Sequence, residues 1–176
     1  MKFRMNEKQA LYLKNYSWKR NLIIFWKVGV WKTYIAEKLY KKILAKYKQY
    51  TPYTVAYFIN DTKFRQTMLS GDLVLKKEEL WQQTIEKYPL EKMLKTHLLF
   101  LDDLWVSNNT DAYLEKLYFV IDSRVEKKKR FVITTNLTLD ELKDKLWERI
   151  VSRLLLETDV IMMKWEDRRV KSLNLI

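Results

Sequence analysis

Short apolar runs alternate with longer amphipathic stretches along this chain. The apolar runs predict strands at residues 21–27, 53–59, 97–101, 130–135 and 160–163. The stretches between them have the helical spacing of apolar positions and predict helices at residues 32–48, 61–95, 111–126 and 139–155. Because strands that alternate with helices favour a parallel sheet covered by helices, we predict an α/β fold with a five-stranded parallel sheet.

The first predicted strand leads into a segment that is typical of a phosphate-binding loop. This segment runs Trp26, Lys27, Val28, Gly29, Val30, Trp31, Lys32, Thr33. It matches the pattern G-x-x-x-x-G-K-[ST], except that tryptophan stands at both pattern glycines. In such loops, backbone N–H groups and a helix N-terminus bind phosphate oxygens. We therefore expect Lys32 to reach the β- and γ-phosphates of ATP and the Thr33 hydroxyl to ligate Mg²⁺.

Two aspartates follow the third apolar run, and an asparagine follows the fourth. Asp102 and Asp103 stand where a nucleoside triphosphatase carries its Mg²⁺-side carboxylate. We expect Asp102 to hold the metal and Asp103 to act on the attacking water. If the two strands are neighbours, Asn136 is placed to bind the γ-phosphate or that water. Both features also suit ordinary turns.

Tryptophan and glycine occur in unusual numbers. The chain has 2 Gly and 7 Trp, whereas average usage would give about 12 glycines. An indole at position 31 should obstruct phosphate, because glycine is normally needed there for φ > 0 and for close approach of the backbone. UGA encodes Trp in some genetic codes and Gly in others. One hypothesis is therefore that these tryptophans are glycines in the native protein, and that their UGA codons were translated with the wrong genetic code. The alternative is a degenerate protein that no longer hydrolyses ATP.

The positive charge is concentrated in the first part of the chain. Residues 1–50 carry a net charge of +11, from 13 Lys and Arg against 2 Glu, out of +12 for the whole chain. A basic region with interleaved tyrosines favours binding to single-stranded DNA, and a solvated helix face is the alternative. The chain has no Cys and one His, which excludes disulfides and argues against a His-based metal site. We expect a cytoplasmic protein without a membrane partner, because no long apolar span or signal peptide is present.

Several stretches resemble the AAA+ ATPase core of bacterial replicative helicase loaders of the DnaC type, with IstB-type transposition helpers close behind. The matching stretches are residues 21–37, 98–105, 130–142, 146–154 and 164–169. The loaders usually carry glycine where this chain has Trp26, Trp31, Trp105 and Trp147, and often where it has Trp165. The resemblance implies a short basic segment at residues 1–20 and a P-loop AAA+ core at 21–176 without a helical lid.

The resemblance also implies a role for individual residues. Lys32 and Thr33 match the phosphate-loop pair, Asp102 and Asp103 the acidic pair, and Asn136 the first sensor. Arg153 matches an arginine finger that acts on a neighbouring subunit. Arg169 matches the second-sensor arginine, with Arg168 as the alternative. The insertion that contacts single-stranded DNA in this family would fall within residues 60–95.

The predicted function is therefore that of a DNA-replication accessory ATPase that uses ATP and Mg²⁺. The resemblance implies that it oligomerises around single-stranded DNA and acts with a replicative helicase. Two alternatives stay open. One is an IstB-type helper that acts with a transposase. The other is a nucleic-acid-binding protein without ATPase activity, which applies if the tryptophans are genuine.

Overall fold

Five parallel strands form a single sheet with the order β2-β3-β4-β1-β5. The computed structural model describes residues 7–26, 31–69, 89–105 and 110–163. The strands are β1 (Asn21–Trp26), β2 (Ala56–Asn60), β3 (Leu98–Leu104), β4 (Arg130–Thr135) and β5 (Thr158–Met163). The five-stranded parallel sheet and the α/β class predicted from the sequence are confirmed.

Eight helices accompany the sheet within the described ranges. They are α1 (Glu7–Asn15), α2 (Trp31–Lys46), α3 (Pro52–Val55), α4 (Asp61–Leu69), α5 (Pro89–Lys95), α6 (Asp111–Glu126), α7 (Leu139–Lys145) and α8 (Glu148–Leu155). None of the helices in the described part of the chain is both long and apolar enough to span a membrane.

The predicted second strand was wrong at its start. Residues 52–55 form the single turn α3, and the strand begins only at Ala56. Pro52 stands in the first helical turn, where its missing N–H costs nothing, and this local preference overrides the β-branched and aromatic content of the segment. The stretch at 139–155 forms two helices because Leu146 and Trp147 separate α7 from α8.

The two faces of the sheet carry separate apolar clusters, as the alternation of side chains along β1 requires. Ile23 and Phe25 pack into the cluster beneath α4 to α8. Leu22, Ile24 and Trp26 pack into the cluster beneath α1 and α2. All six residues of β1 are buried, which explains why its sequence is a continuous apolar run.

Helix α1 was not predicted from the sequence. Its Leu13, together with Tyr16 just beyond the helix, is buried in the α2-side cluster. The hydroxyl of Tyr12 donates to Asp159 on β5 at 2.5 Å, and the amide of Gln9 donates to the Met162 carbonyl at 2.8 Å. These contacts hold α1 alongside the edge strand β5.

A buried arginine ties the N-terminal ends of β3 and β4 together. The Arg124 guanidinium donates to the carbonyl oxygens of Met93, Thr96, His97 and Arg130. Burial lowers the pKa of Arg124 to about 9, so the side chain is still protonated at neutral pH and keeps all its donors. Arg124 thus holds the N-terminal ends of these strands, whereas the candidate site lies at their carboxyl ends.

Candidate nucleotide site

The carboxyl ends of β1, β3 and β4 meet at the N-terminus of helix α2. Lys32 and Thr33 lie in the first turn of this 16-residue helix. The partial positive charge of a helix N-terminus attracts anions, and no acidic residue occupies the first turn of α2 to oppose it. The predicted loop residues Lys27, Val28, Gly29 and Val30 lie outside the described residues, as does the side chain of Trp31.

Thr33 and Asp102 are in direct contact. The Thr33 Oγ1 donates to the Asp102 Oδ2 at 2.7 Å. The other carboxylate oxygen of Asp102, Oδ1, accepts from the Thr134 hydroxyl at 2.6 Å. Asp102 is buried, so these two hydroxyls fix the direction of its carboxylate. The structure thus brings together the two residues that were predicted to bind Mg²⁺.

Lys32 forms an ion pair with the second aspartate. Its Nζ lies 2.8 Å from the Asp103 Oδ1, and the two side chains are 5% and 50% exposed, respectively. Asp103 itself has a φ of 57°, in the left-handed region where only glycine is free of steric cost. The buried ammonium group therefore lies between the start of α2 and the end of β3.

Asn136 lies beside this pair, because β3 and β4 are neighbours in the sheet. Its Nδ2 donates to the Asp103 Oδ1 at 3.3 Å. Its own Oδ1 is buried and has no hydrogen-bond donor among the described residues. A buried amide oxygen without a donor is costly, and it can accept a hydrogen bond from water or another ligand.

A cleft of about 630 Å³ opens beside Asp102 and Asp103. Asn60 at the end of β2 and Thr62, Arg65 and Gln66 of α4 form its other side. The register pairs Asn60 of β2 with Asp102 of β3, and this places α4 next to the acidic pair.

Sequence reasoning did not identify the polar network beneath this cleft. The buried Asp61 accepts from the Tyr113 hydroxyl at 2.6 Å and from the Arg65 Nε at 2.7 Å. Arg65 also lies 3.7 Å above the Tyr113 ring and donates to the Trp105 carbonyl. The Asp61–Arg65 spacing of four residues on a helix is the signal that predicts their contact. The partnership with Tyr113 depends on the tertiary structure.

The oxygen atoms of Thr33 and Asp102 suit a magnesium ion better than a softer metal. Mg²⁺ prefers oxygen ligands and is usually held by one or two carboxylates together with substrate phosphates. The Thr33 hydroxyl and the Asp102 carboxylate supply such oxygens within 2.7 Å of each other. No group of three or more His, Cys, Asp or Glu able to hold a metal occurs within the described ranges. Any Mg²⁺ at this position would therefore need further ligands, such as phosphate oxygens and water.

The predicted arginine finger lies on a different surface. Arg153 on α8 pairs with Asp122 of α6, with 2.7 Å between Nε and Oδ1, and is 41% exposed. Arg149, one turn earlier, lies over the rings of Tyr118 and Trp147 at 4.5 and 4.3 Å. Arg168 and Arg169 lie outside the described residues.

The basic region at residues 1–50 presents lysines on the outer face of α2. Lys38, Lys41 and Lys42 are exposed, whereas Ile35, Leu39 and Ile43 on the opposite face are buried. Of the interleaved tyrosines, Tyr12, Tyr16, Tyr40 and Tyr47 pack against or within the apolar cluster under α2, and Tyr34 and Tyr50 are exposed. Most of the tyrosines therefore serve the core. The segment at residues 70–88, within the predicted DNA-contacting insertion, lies outside the described residues.

The tryptophans occupy contrasting environments. Trp18 has a φ of 63°, a conformation that is uncommon for any residue except glycine. Trp147 is the N-cap of α8 and makes no side-chain cap bond, at a position where Ser, Thr, Asp, Asn or Gly is preferred. Trp26, by contrast, is only 1% exposed and fills the cluster beneath α2. Trp81 and Trp165 lie outside the described residues.

Solved structures of replication proteins share this fold. The crystal structure of the DnaC helicase loader superposes with a TM-score of 0.67 at 21% identity, covering 93% of each chain. Domain III of the replication initiation protein DnaA from Thermotoga maritima gives a TM-score of 0.66 at 20% identity, covering 94% of this chain and 64% of that one. AMPPCP-bound DnaA from Aquifex aeolicus gives 0.67 at 18% identity, covering 99% and 55%.

The chain therefore spans between about half and two thirds of the DnaA structures and nearly all of the DnaC structure. Neither a protein-family model nor a curated protein sequence matches it. At these identities, the likeness concerns the fold. The chain shares with these structures a five-stranded parallel sheet flanked by helices, as the sequence predicted.

Proposed function

We propose that this protein binds ATP with Mg²⁺ and hydrolyses the nucleotide, as a replication-associated ATPase of the helicase-loader type. One observation carries the proposal. Two adjacent residues at the start of α2 contact two adjacent aspartates at the end of β3, Thr33 with Asp102 and Lys32 with Asp103. A helix N-terminus with a lysine and a hydroxyl, facing a carboxylate pair, supplies the charges that triphosphate and magnesium need.

Each residue has a defined task in this proposal. Lys32 exchanges its contact with Asp103 for the β- and γ-phosphates. Thr33 and Asp102 hold Mg²⁺, which when bound neutralises charge that develops on the phosphates. The Asp103 carboxylate, once released from Lys32, orients the attacking water and accepts its proton. The buried Oδ1 of Asn136 accepts from the same water, and its Nδ2 faces the γ-phosphate.

The replication role rests on the structural neighbours and on the charge. DnaC is described as a helicase loader and DnaA as a replication initiation protein. By analogy, we assign to this chain a replicative helicase and single-stranded DNA as partners. The exposed lysines of α2 supply the charge for the DNA. In this proposal, subunits assemble so that Arg153 of one reaches the ATP of the next, and Arg169 acts as second sensor. A transposase partner of the IstB type stays the alternative prediction.

A second candidate function is nucleic-acid binding without ATPase activity. Two features favour it: Trp31 directly precedes Lys32, and Trp26 is well packed in the core. The φ of Trp18 and the N-cap position of Trp147 point the other way, to glycine in the native protein. Whether the native protein carries tryptophan or glycine at these positions therefore decides between the two functions.

Nucleotide binding tests the proposal. AMPPCP with MgCl₂ is titrated calorimetrically into the chain that carries all seven tryptophans and into a form with Trp26→Gly and Trp31→Gly. Lys32→Ala in the binding-competent form should abolish binding, because it deletes the cation for the phosphates. Lys38→Ala removes an exposed lysine of the same helix and should bind normally. Absence of binding by both parent forms would reject the ATPase and favour the second candidate.

A further inference from the structure

The two aspartates at the site share a single partner residue on the neighbouring strand. Leu101 pairs with Ile133, and Leu104 pairs with Thr135. Asp102 and Asp103 therefore both lie opposite Thr134, which makes this position a β-bulge. Bulges leave one backbone group without a ladder partner and turn side chains away from their regular directions.

Thr134 compensates for the bulge with one hydroxyl. Its Oγ1 accepts from the backbone N–H of Asp103 at 2.8 Å, which replaces a ladder hydrogen bond. The same oxygen donates its proton to the Asp102 Oδ1 at 2.6 Å. Thr134 is 1% exposed, so no solvent competes for either bond.

These two bonds act on different parts of the acidic pair. The bond to Oδ1 leaves the Asp102 Oδ2 directed at Thr33, the residue with which it would share Mg²⁺. The bond from the Asp103 N–H holds the backbone at a φ of 57°, and this conformation lets the Asp103 side chain reach Lys32. A hydroxyl suits both bonds, because it donates and accepts strongly through one atom.

We propose that Thr134 is the positioning residue of the nucleotide site, setting the magnesium-binding direction of Asp102 and the strained backbone of Asp103. This inference rests on the proposed ATPase function. The two hydrogen bonds of the Thr134 hydroxyl described above go to Asp102 and Asp103. Thr134 acts through Asp102, as the outer partners of metal ligands do in other proteins.

The chain offers a matched control one residue further on. Thr135 is also fully buried on β4. Its Oγ1 donates to the Leu104 carbonyl at 2.8 Å and accepts from the Leu137 N–H at 3.2 Å. Thr135 thus makes the same number of bonds, but none of them goes to an aspartate. Thr134→Val and Thr135→Val remove equivalent buried hydroxyls and differ only in what those hydroxyls hold.

The test measures how strongly the protein needs Mg²⁺ to bind AMPPCP, in the form of the chain that binds this nucleotide. Thr134→Val should raise the Mg²⁺ concentration for half-maximal binding by ~10-fold or more, the range for lost outer partners. Binding of AMPPCP without metal should not weaken, because Lys32 remains and its pairing with Asp103 is at most loosened. Mn²⁺ binding followed by electron paramagnetic resonance should weaken in parallel. Thr134→Ser, which keeps the hydroxyl, should resemble the parent.

Thr135→Val should lower the unfolding temperature without moving the Mg²⁺ midpoint. An unchanged midpoint in Thr134→Val, or an equal shift in both valine variants, would overturn the positioning role while leaving the ATPase intact. Failure of the parent to bind AMPPCP would instead reject the proposed function, and the Thr134 role with it. If Thr134→Val does not fold, Thr134→Ala is titrated against Thr134→Ser with the same criteria.

Discussion

Lys32 and Asp103 form an ion pair, 2.8 Å between Nζ and Oδ1, that joins the first turn of α2 to the end of β3. The Nδ2 of Asn136 donates to the same carboxylate oxygen at 3.3 Å. The two donors that we assign to the γ-phosphate are thus both bound to Asp103. Through these contacts, the Asp103 carboxylate mimics the anion that the site is proposed to bind.

Removing the Asp103 carboxylate should therefore strengthen nucleotide binding. In Asp103→Asn, Lys32 no longer has an anionic partner to leave, and the repulsion between carboxylate and phosphate disappears. Because Asp103 is half exposed, we expect a gain of about threefold to tenfold in AMPPCP affinity. Hydrolysis of ATP should fall at the same time, because the proton acceptor is lost. Calorimetry with AMPPCP, which is not hydrolysed, separates the two effects, and weaker binding by Asp103→Asn would contradict the competition.

Loss of Arg153 should separate ATP binding from hydrolysis. Arg153→Ala should still bind AMPPCP, whereas ATP hydrolysis should fall by ~10³ or more, the range for a lost arginine finger. Arg149→Ala, one turn away on α8, is the control and should retain activity. Mixing Arg153→Ala subunits with Asp103→Asn subunits should restore part of the activity, since one interface then combines an intact Asp103 with an intact Arg153. No recovery at any mixing ratio, with a monomeric mass in ATP and DNA, would contradict the shared site.

The lysines of the basic region at residues 1–50 should govern how DNA binding depends on salt. The affinity for oligo(dT) should fall with salt concentration, with a slope of about −0.7 per phosphate neutralised. Replacing Lys41, Lys42 and Lys48 with Gln should flatten that slope, measured by fluorescence anisotropy. An unchanged slope would identify these lysines as a solvated surface.

The matched control for this experiment removes the same charge elsewhere. Lys127, Lys143 and Lys145 are exposed and lie in the second half of the chain. Replacing them with Gln should leave the slope nearly as it is in the parent. Equal flattening by both triple variants would mean that net charge, rather than the surface of α2, determines DNA affinity.

The buried phenol of Tyr113 should make the protein sensitive to alkaline pH. Burial, followed by the nearby charge of Asp61, raises the pKa of Tyr113 above its ordinary value of 10. The folded state therefore keeps the proton after the unfolded chain has lost it. The stabilisation is complete below pH 10 and is lost as the pH rises from there, by up to about 1.4 kcal/mol per pH unit.

Tyr113→Phe removes this contribution to alkaline sensitivity. Urea unfolding of this variant should depend less on pH above 10 than that of the parent. At neutral pH, the variant should be less stable by about 1–3 kcal/mol, because the buried Asp61 loses a donor. Tyr50→Phe changes an exposed tyrosine and should match the parent throughout. Identical alkaline profiles for the parent and Tyr113→Phe would contradict a raised pKa of Tyr113 in the folded state, because they would mean that the phenol titrates alike in the folded and unfolded states.

The codons at the seven tryptophan positions test the decoding hypothesis. If it holds, the gene should carry UGA at positions 18, 26, 31, 81, 105, 147 and 165, and peptide masses from the native source should show glycine. Glycine would relieve the positive φ at position 18 and provide a better N-cap at position 147. UGG at positions 26 and 31 would reject the hypothesis and favour the candidate function without ATPase activity.

The sequence by itself determined the class of fold and which side chains should meet at the candidate site. Apolar runs of strand length between amphipathic stretches are local patterns, and they suffice to predict alternating strands and helices. Lys32, Thr33, Asp102, Asp103 and Asn136 were predicted because the motif fixes which chemistry each residue type supplies. The short helix α3 and the helix α1 were missed, because a single turn and a weakly amphipathic segment leave little periodic signal.

Only the tertiary structure decided how the site is held in place. No sequence pattern places Thr134 opposite two aspartates, because the β-bulge arises from the pairing of β3 with β4, some thirty residues apart. The contact of Asp61 with Tyr113 likewise joins residues 52 positions apart. Such contacts depend on strand order and register, which are set by the packing of the whole sheet rather than by local sequence.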